Sequence, residues 1–215
     1  MWRVIGTILL AVATLVTPVS ARQGTGSDAV CPTGTAQIVL DPGHGGDDSG
    51  ALNATYGLSE RALNLEVAQR TAAILRETAG YGVALIREDN ATELGNSARG
   101  AIANACEALV FVEIHLNASF DPSVDYAQTF WGEKEKDLAF SQTMNSALGA
   151  LGLPVSGVER FDNGGLLRAR LPSVLVEAVF LSNMDEARDL ANGTRQEGIA
   201  QAIAAGIVNW FRLPA

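Results

Sequence analysis

Three runs of this chain are almost wholly apolar and too short to be buried helices: Ala36-Gln37-Ile38-Val39-Leu40-Asp41, Leu109-Val110-Phe111-Val112-Glu113-Ile114 and Val174-Leu175-Val176. A strand with one wet face alternates polar and apolar side chains. A strand without alternation is covered on both faces, which is the situation of parallel strands held between two helical layers. The stretches between the runs carry helical periodicity. A glycine-rich loop through Gly57 leads to a helix starting near Ser59, where Leu65, Ala68, Ala72 and Leu75 recur at helical spacing. Gly80 and Gly82 end it ahead of a strand at Val83-Ala84-Leu85-Ile86. Further helices are expected at about 94–105, 138–151 and 185–211. Tyr126 to Trp131 alternates weakly and reads as an edge strand, and Leu166 to Arg168 reads as a short strand. The expected fold is α/β: a three-layer α/β/α sandwich with a central, mostly parallel (mixed) sheet.

Two of these strands run out on the chain's only histidines. His44 follows the first through a Pro42-Gly43 turn, and His115 closes the second; the third ends on Glu177. In open α/β sheets, ligands gather at the carboxyl ends of the strands, so His44, His115 and Glu177 read as one assembled metal site. Glu60, at the start of the first helix, is the best further carboxylate. Two imidazoles and a carboxylate suit Zn²⁺, leaving one position for water or substrate. Such a site points to hydrolysis of an amide or ester. Each residue also has a plainer reading. The histidines would be hydrogen-bonded loop residues, Glu177 would pair with Arg168 or Arg170, and Glu60 would complement the helix dipole.

The remaining features bound the setting. Residues 1–21 read as a secretory signal peptide: Arg3, an apolar run from Val4 to Val16, then Val19-Ser20-Ala21. Residues 22–35 read as a flexible N-terminal segment and 36–215 as a single catalytic domain. The protein is therefore expected to be exported, periplasmic or extracellular, with no membrane span in the mature chain. The net charge of -9 disfavours nucleic acid and anionic lipid as partners. A monomer is expected. Cys31 and Cys106 are the only cysteines. Export favours pairing them, and both precede predicted strands, at the sheet edge opposite the histidines.

The segment from Ile38-Val39-Leu40-Asp41-Pro42-Gly43-His44-Gly45-Gly46-Asp47-Asp48-Ser49-Gly50-Ala51 resembles the opening motif of the zinc-dependent N-acetylmuramoyl-L-alanine amidases of the amidase-3 class. Glu60 with Asn64-Leu65 is similar to the second motif. Arg99 with Ile102-Ala103-Asn104, then Ile114-His115-Leu116-Asn117-Ala118, follow in order. Pro172 to Glu177, running on to Phe180-Leu181-Ser182-Asn183, resembles the closing motif. The resemblance implies His44, Glu60 and His115 as zinc ligands and Glu177 as the catalytic carboxylate. It also implies peptidoglycan or muropeptides as substrate, cut at the amide between N-acetylmuramic acid and the L-alanine of the stem peptide.

Some positions depart from the family pattern. Glu113 replaces a small serine on the strand face of His115, where it would either fix an imidazole tautomer or crowd the metal. Leu116 replaces an alanine, Leu109 an aspartate, and Ala178-Val179 a small or polar residue plus glycine. Two rival readings remain: a zinc metallopeptidase of carboxypeptidase-like type using His44, Asp47 and His115, and a non-catalytic wall-binding relative.

Overall fold

The computed structural model describes residues 30–214; the signal peptide expected at 1–21 lies outside them. In chain order the elements are β1 (Ile38–Pro42), β2 (Leu52–Asn53), β3 (Leu58–Ser59), α1 (Glu60–Ala79), β4 (Val83–Leu85), α2 (Asn96–Ala105), β5 (Val110–Asn117) and β6 (Ala127–Trp131). They continue as α3 (Glu135–Leu148), β7 (Val155–Arg160), α4 (Gly164–Arg168), β8 (Ser173–Phe180), α5 (Met184–Ala191) and α6 (Thr194–Arg212). Six strands form one sheet in the order β4-β1-β5-β8-β6-β7, while β2 and β3 make a separate hairpin. Every neighbouring pair in the large sheet is parallel except β6 with β8. The expected mixed, mostly parallel α/β architecture is the one observed.

Alternate residues of the strands face different layers. Ile38, Leu40, Val110, Val112, Ile114, Val174 and Val176 pack with Leu65, Ala68, Ala72 and Leu75 of α1, Phe140 and Met144 of α3, and Ile199, Ile203 and Ile207 of α6. Val39, Ala84 and Phe111 lie on the other face with Ala103 of α2 and Ala169 and Leu171 beyond α4. The stripe read from the sequence of α1 is buried along its length. That helix ends as glycine dictates: Gly80 takes φ 68°, its N–H donates to the Arg76 carbonyl, and Tyr81 N–H donates to Leu75.

β1 and β5 are parallel neighbours, with Ile38 opposite Val110. Cys31 and Cys106 therefore meet at the amino ends of those strands, and they form a disulfide. Two expectations need correction. β6 is an interior strand, because the edge position is held by β7, which the sequence reading did not foresee. Residues 166–168 belong to helix α4, since Asn163 accepts a hydrogen bond from Gly165 N–H and caps a helical turn there. The β2–β3 hairpin is also an addition.

Candidate metal centre

The His44 segment is a turn pinned from below by two buried arginines. Arg87 uses all its donors on acceptors. Nε donates to Pro42 O at 2.8 Å, and one terminal nitrogen donates to Gly43 O and Arg61 O, each at 2.8 Å. The other donates to Asp89 O at 2.8 Å and Asn90 Oδ1 at 3.3 Å. Arg99 pairs with the buried Asp41 and donates to His44 O at 2.8 Å. These contacts hold His44 at φ 62°, a left-handed conformation uncommon for a non-glycine residue. Gly43 is required by close approach, because a Cβ there would lie 2.2 Å from the His115 ring.

Glu60 enters as the first residue of α1. Its N–H donates to Ala51 O at 2.8 Å, and Arg61 N–H donates to Ser49 O at 3.0 Å, so the loop carbonyls cap the helix start and fix its direction. The Glu60 carboxylate is buried, with Oε2 accepting from Ala51 N–H at 2.9 Å. Its Oε1 lies 2.9 Å from His44 Nε2 and 3.0 Å from His115 Nδ1, and also faces Leu116 N–H at 3.2 Å and Asn64 Nδ2 at 3.3 Å. Four polar groups crowd one oxygen that has two lone pairs. Asp48 Oδ2 sits 2.8 Å from His44 Nδ1. With a proton on Nδ1 donated to Asp48, Nε2 is the nitrogen left facing Glu60 and the site, the orientation a metal ligand needs.

The electrostatics follow from this convergence. Burial opposes the charge on Glu60, but its contacts with His115 and His44 outweigh that and hold the carboxyl below its ordinary range. Burial works against a proton on His44, yet the Glu60 and Asp48 contacts raise its pKa. Glu177 stands opposite His115 on the adjacent strand, so both side chains share one face of the sheet. Its Oε2 is buried without a hydrogen-bond partner. Burial, then the negative charge of Glu60, push Glu177 up to about 8.

The structure thus brings His44, Glu60 and His115 together, their ligand atoms within 4.8 Å of one another. Glu177 lies beside them rather than among them, and it makes no salt bridge to Arg168 or Arg170 among the described residues. The group that gathers with the histidines contains Glu60 and not Asp47, whose backbone N–H instead donates to Glu93 at 3.2 Å. Glu113 does not touch an imidazole. It is buried, accepts from Asn163 Nδ2 at 2.9 Å, and is raised well above the usual carboxylate range by burial and by Asp41, its cross-strand neighbour. The carboxylate that contacts an imidazole nitrogen is instead Asp48, at His44. Two neighbours escaped the sequence reading: Asp48, and Gln128, the cross-strand partner of Glu177 on β6.

Two imidazoles and a carboxylate meeting at one point, with another carboxyl held apart on the next strand, make up the donor set of metal-assisted hydrolases. Comparisons with known proteins narrow the class. Residues 38–209 match the Amidase_3 family, N-acetylmuramoyl-L-alanine amidase. The chain is 31% identical over 180 residues to the N-acetylmuramoyl-L-alanine amidase LytC of Bacillus subtilis, covering 81% of this chain and 35% of that protein. It is 33% identical over 178 residues to the uncharacterized protein YqiI of the same organism, covering 81% of this chain and 84% of that one. The solved catalytic domain of CwlV, an N-acetylmuramoyl-L-alanine amidase from Bacillus (Paenibacillus) polymyxa var. colistinus, matches with a TM-score of 0.76 at 31% identity. That match covers 82% of this chain and 98% of that one. The chain belongs to the N-acetylmuramoyl-L-alanine amidase family, and its reaction class is amide hydrolysis in peptidoglycan. It spans about a third of the length of LytC.

Proposed function

We propose that this protein is an exported, zinc-dependent amidase acting on peptidoglycan or muropeptides, with His44, Glu60 and His115 as metal ligands and Glu177 as the catalytic carboxylate. The observation that carries the reading is the crowding of both imidazoles onto Glu60 Oε1, with the unpartnered Glu177 Oε2 on the neighbouring strand. A cation relieves that crowding, because it turns competing lone pairs into ligands. The donors, two imidazole nitrogens and a carboxylate oxygen, fit Zn²⁺. When bound, zinc supplies a Lewis acid for the scissile carbonyl and activates water at neutral pH.

The chain's own residues supply the rest. Asp48 holds His44 in one tautomer, and Arg87 and Arg99 fix the backbone from Pro42 to His44. The Glu177 carboxylate accepts the proton that water releases as its oxygen bonds to the carbonyl carbon. It then gives that proton to the nitrogen of L-alanine as the C–N bond breaks. Burial is the larger cause of the rise in Glu177; a positive charge beside Glu60 would offset the second, the repulsion from Glu60, and so favour the ionised form a base needs. The amidase reading is tested by mass spectrometry of products from defined muropeptides. Intact stem peptide with a free L-alanine amine is the expected product, released in a chelator-sensitive manner. Products cut elsewhere in the peptide would favour the peptidase alternative, and none at all with metal present would favour a wall-binding relative.

A further inference from the structure

The closing segment Phe180-Leu181-Ser182-Asn183 supplies none of the clustered ligand atoms, yet it is tied to two neighbouring segments. Leu181 N–H donates to Asn117 O at 2.8 Å, anchoring the turn to the end of the His115 strand. Leu181 O accepts from Asn53 Nδ2 at 3.0 Å, which attaches the β2–β3 hairpin. Ser182 Oγ accepts from Ser119 N–H at 2.9 Å, and Asn183 Nδ2 donates to Pro122 O at 3.1 Å. Three successive residues thus fasten two separate loops to the end of β8, a few positions beyond Glu177.

Each fastened segment presents apolar surface to solvent. Phe120, at the tip of the loop after β5, is fully exposed, and Leu52 on the hairpin is 66% exposed. Tyr56 and Met184 are exposed as well. Tyr56 is held in its turn by Asn53, whose Oδ1 accepts from Tyr56 N–H at 3.3 Å. The Phe120 loop is braced internally too. Asp121 N–H donates to Ser119 Oγ at 3.1 Å, and Asp121 Oδ1 accepts from Ser123 N–H at 2.9 Å. A mobile loop tip needs no such bracing. A preorganised one loses less entropy on binding.

We infer that Phe120, Leu52 and Tyr56, locked together through Leu181-Ser182-Asn183, form a rim that docks the glycan strand of the wall beside the metal centre. The inference rests on the amidase reading for its occupant and deepens it by assigning the sugar side of the substrate. A pyranose presents C–H bonds on its faces, and these pack on aromatic rings and apolar side chains. An anionic lipid surface suits the rim poorly, given the net charge of -9. The bond to be cut joins sugar to peptide, so a surface beside the site meets one side of that junction, and the rim's apolar side chains, with the exposed carboxylate of Asp121 next to Phe120, match a neutral sugar face rather than an anionic stem peptide.

The test uses the full mature chain and its Phe120→Ala and Leu52→Ala variants, exposed positions whose truncation leaves the core intact. KM is measured on long glycan strands bearing stem peptides and on a single-sugar muramoyl-peptide. In parallel, retention on insoluble glycan strands stripped of peptide is measured in metal-free protein. Phe120→Ala is expected to raise KM on long strands by about five- to tenfold, leave kcat and the single-sugar substrate within about twofold, and reduce retention on bare glycan. Phe120→Trp is expected to restore both. Equal effects on both substrates, no effect on either, or unchanged retention on bare glycan overturn the inference. Competition by free stem peptide that depends on Phe120 overturns it as well and reassigns the rim to the peptide. If the wild type hydrolyses neither substrate but still binds bare glycan through Phe120, the amidase reading fails while the rim stands.

Discussion

On the face covered by α1, α3 and α6, strand residues such as Ile38, Leu40, Val112 and Val176 are sealed from end to end. On the opposite face the alternate residues of the same strands change character along their length. β1 passes from Val39 to Asp41, β5 from Phe111 through Glu113 to His115, and β8 from Ser173 through Leu175 to Glu177. The difference traces to helix length. At 1.5 Å per residue, α1 with 20 residues runs about 30 Å, whereas α2 with 10 and α4 with 5 run about 15 Å and 8 Å. An eight-residue strand such as β5 spans about 26 Å. The short helices therefore roof only the amino-terminal part of their face, and the uncovered remainder holds His115 and Glu177. One face is for stability, and the other trades coverage for a cleft.

That division can be broken by substitution. Glu60→Ala should have the largest effect: bound zinc, measured by metal analysis after dialysis, falls from stoichiometric toward none, and stem-peptide release goes with it. Retained zinc would remove Glu60 from the ligand set. Glu177→Gln should keep the zinc and lower kcat by about 10²- to 10⁴-fold, which separates proton transfer from metal binding. Arg87→Lys should weaken zinc about 10- to 100-fold in a competition titration, because lysine has three donors and no planar fork to replace five hydrogen bonds. On the sealed face the pattern should invert. Leu40→Ala should lower stability by about 2–5 kcal/mol in denaturant unfolding with zinc affinity in the surviving fold unchanged.

The smallest effect is a pH dependence in the metal-free protein. Glu177 is raised from an ordinary 4.5 to about 8, so between those values the native state holds a proton that the unfolded chain has released. Stability should therefore fall as pH rises through that window. Glu177→Gln should flatten the fall, so that the variant gains on wild type as pH rises toward 8. An identical slope in both proteins would contradict the burial and Glu60 repulsion described above.

The sealed face was the more legible one, since an unbroken apolar strand and a regular helical stripe leave few alternatives. Legibility failed where neither pattern operates. Val155-Ser156-Gly157-Val158-Glu159-Arg160 forms edge strand β7 with no fully buried residue and Gly157 at φ 115°, so burial left no periodic trace. Missing β7 placed β6 at the edge, although Thr129 is fully buried, bonded to Ser141 O, and Gln128 lies beside Glu177. The run Gly164-Gly165-Leu166-Leu167-Arg168 is too short to show a helical period. The two candidate imidazole ligands stood out because His44 and His115 are the only histidines, each at a strand end. Asp48 did not, because its contact with His44 depends on the left-handed turn at that residue, a tertiary fact held in place by Arg99.

Arg87 reaches the end of β1, the residue after Glu60 and the loop following β4 with a single guanidinium, and no N–H of that group is left over for solvent. Those three segments are consequently coupled as one rigid body. The His44 turn cannot swing without dragging the start of α1 with it, so thermal breathing of the cleft preserves the His44–Glu60 spacing. Amide protons at both places should accordingly exchange with deuterium in concert, as one cooperative unit.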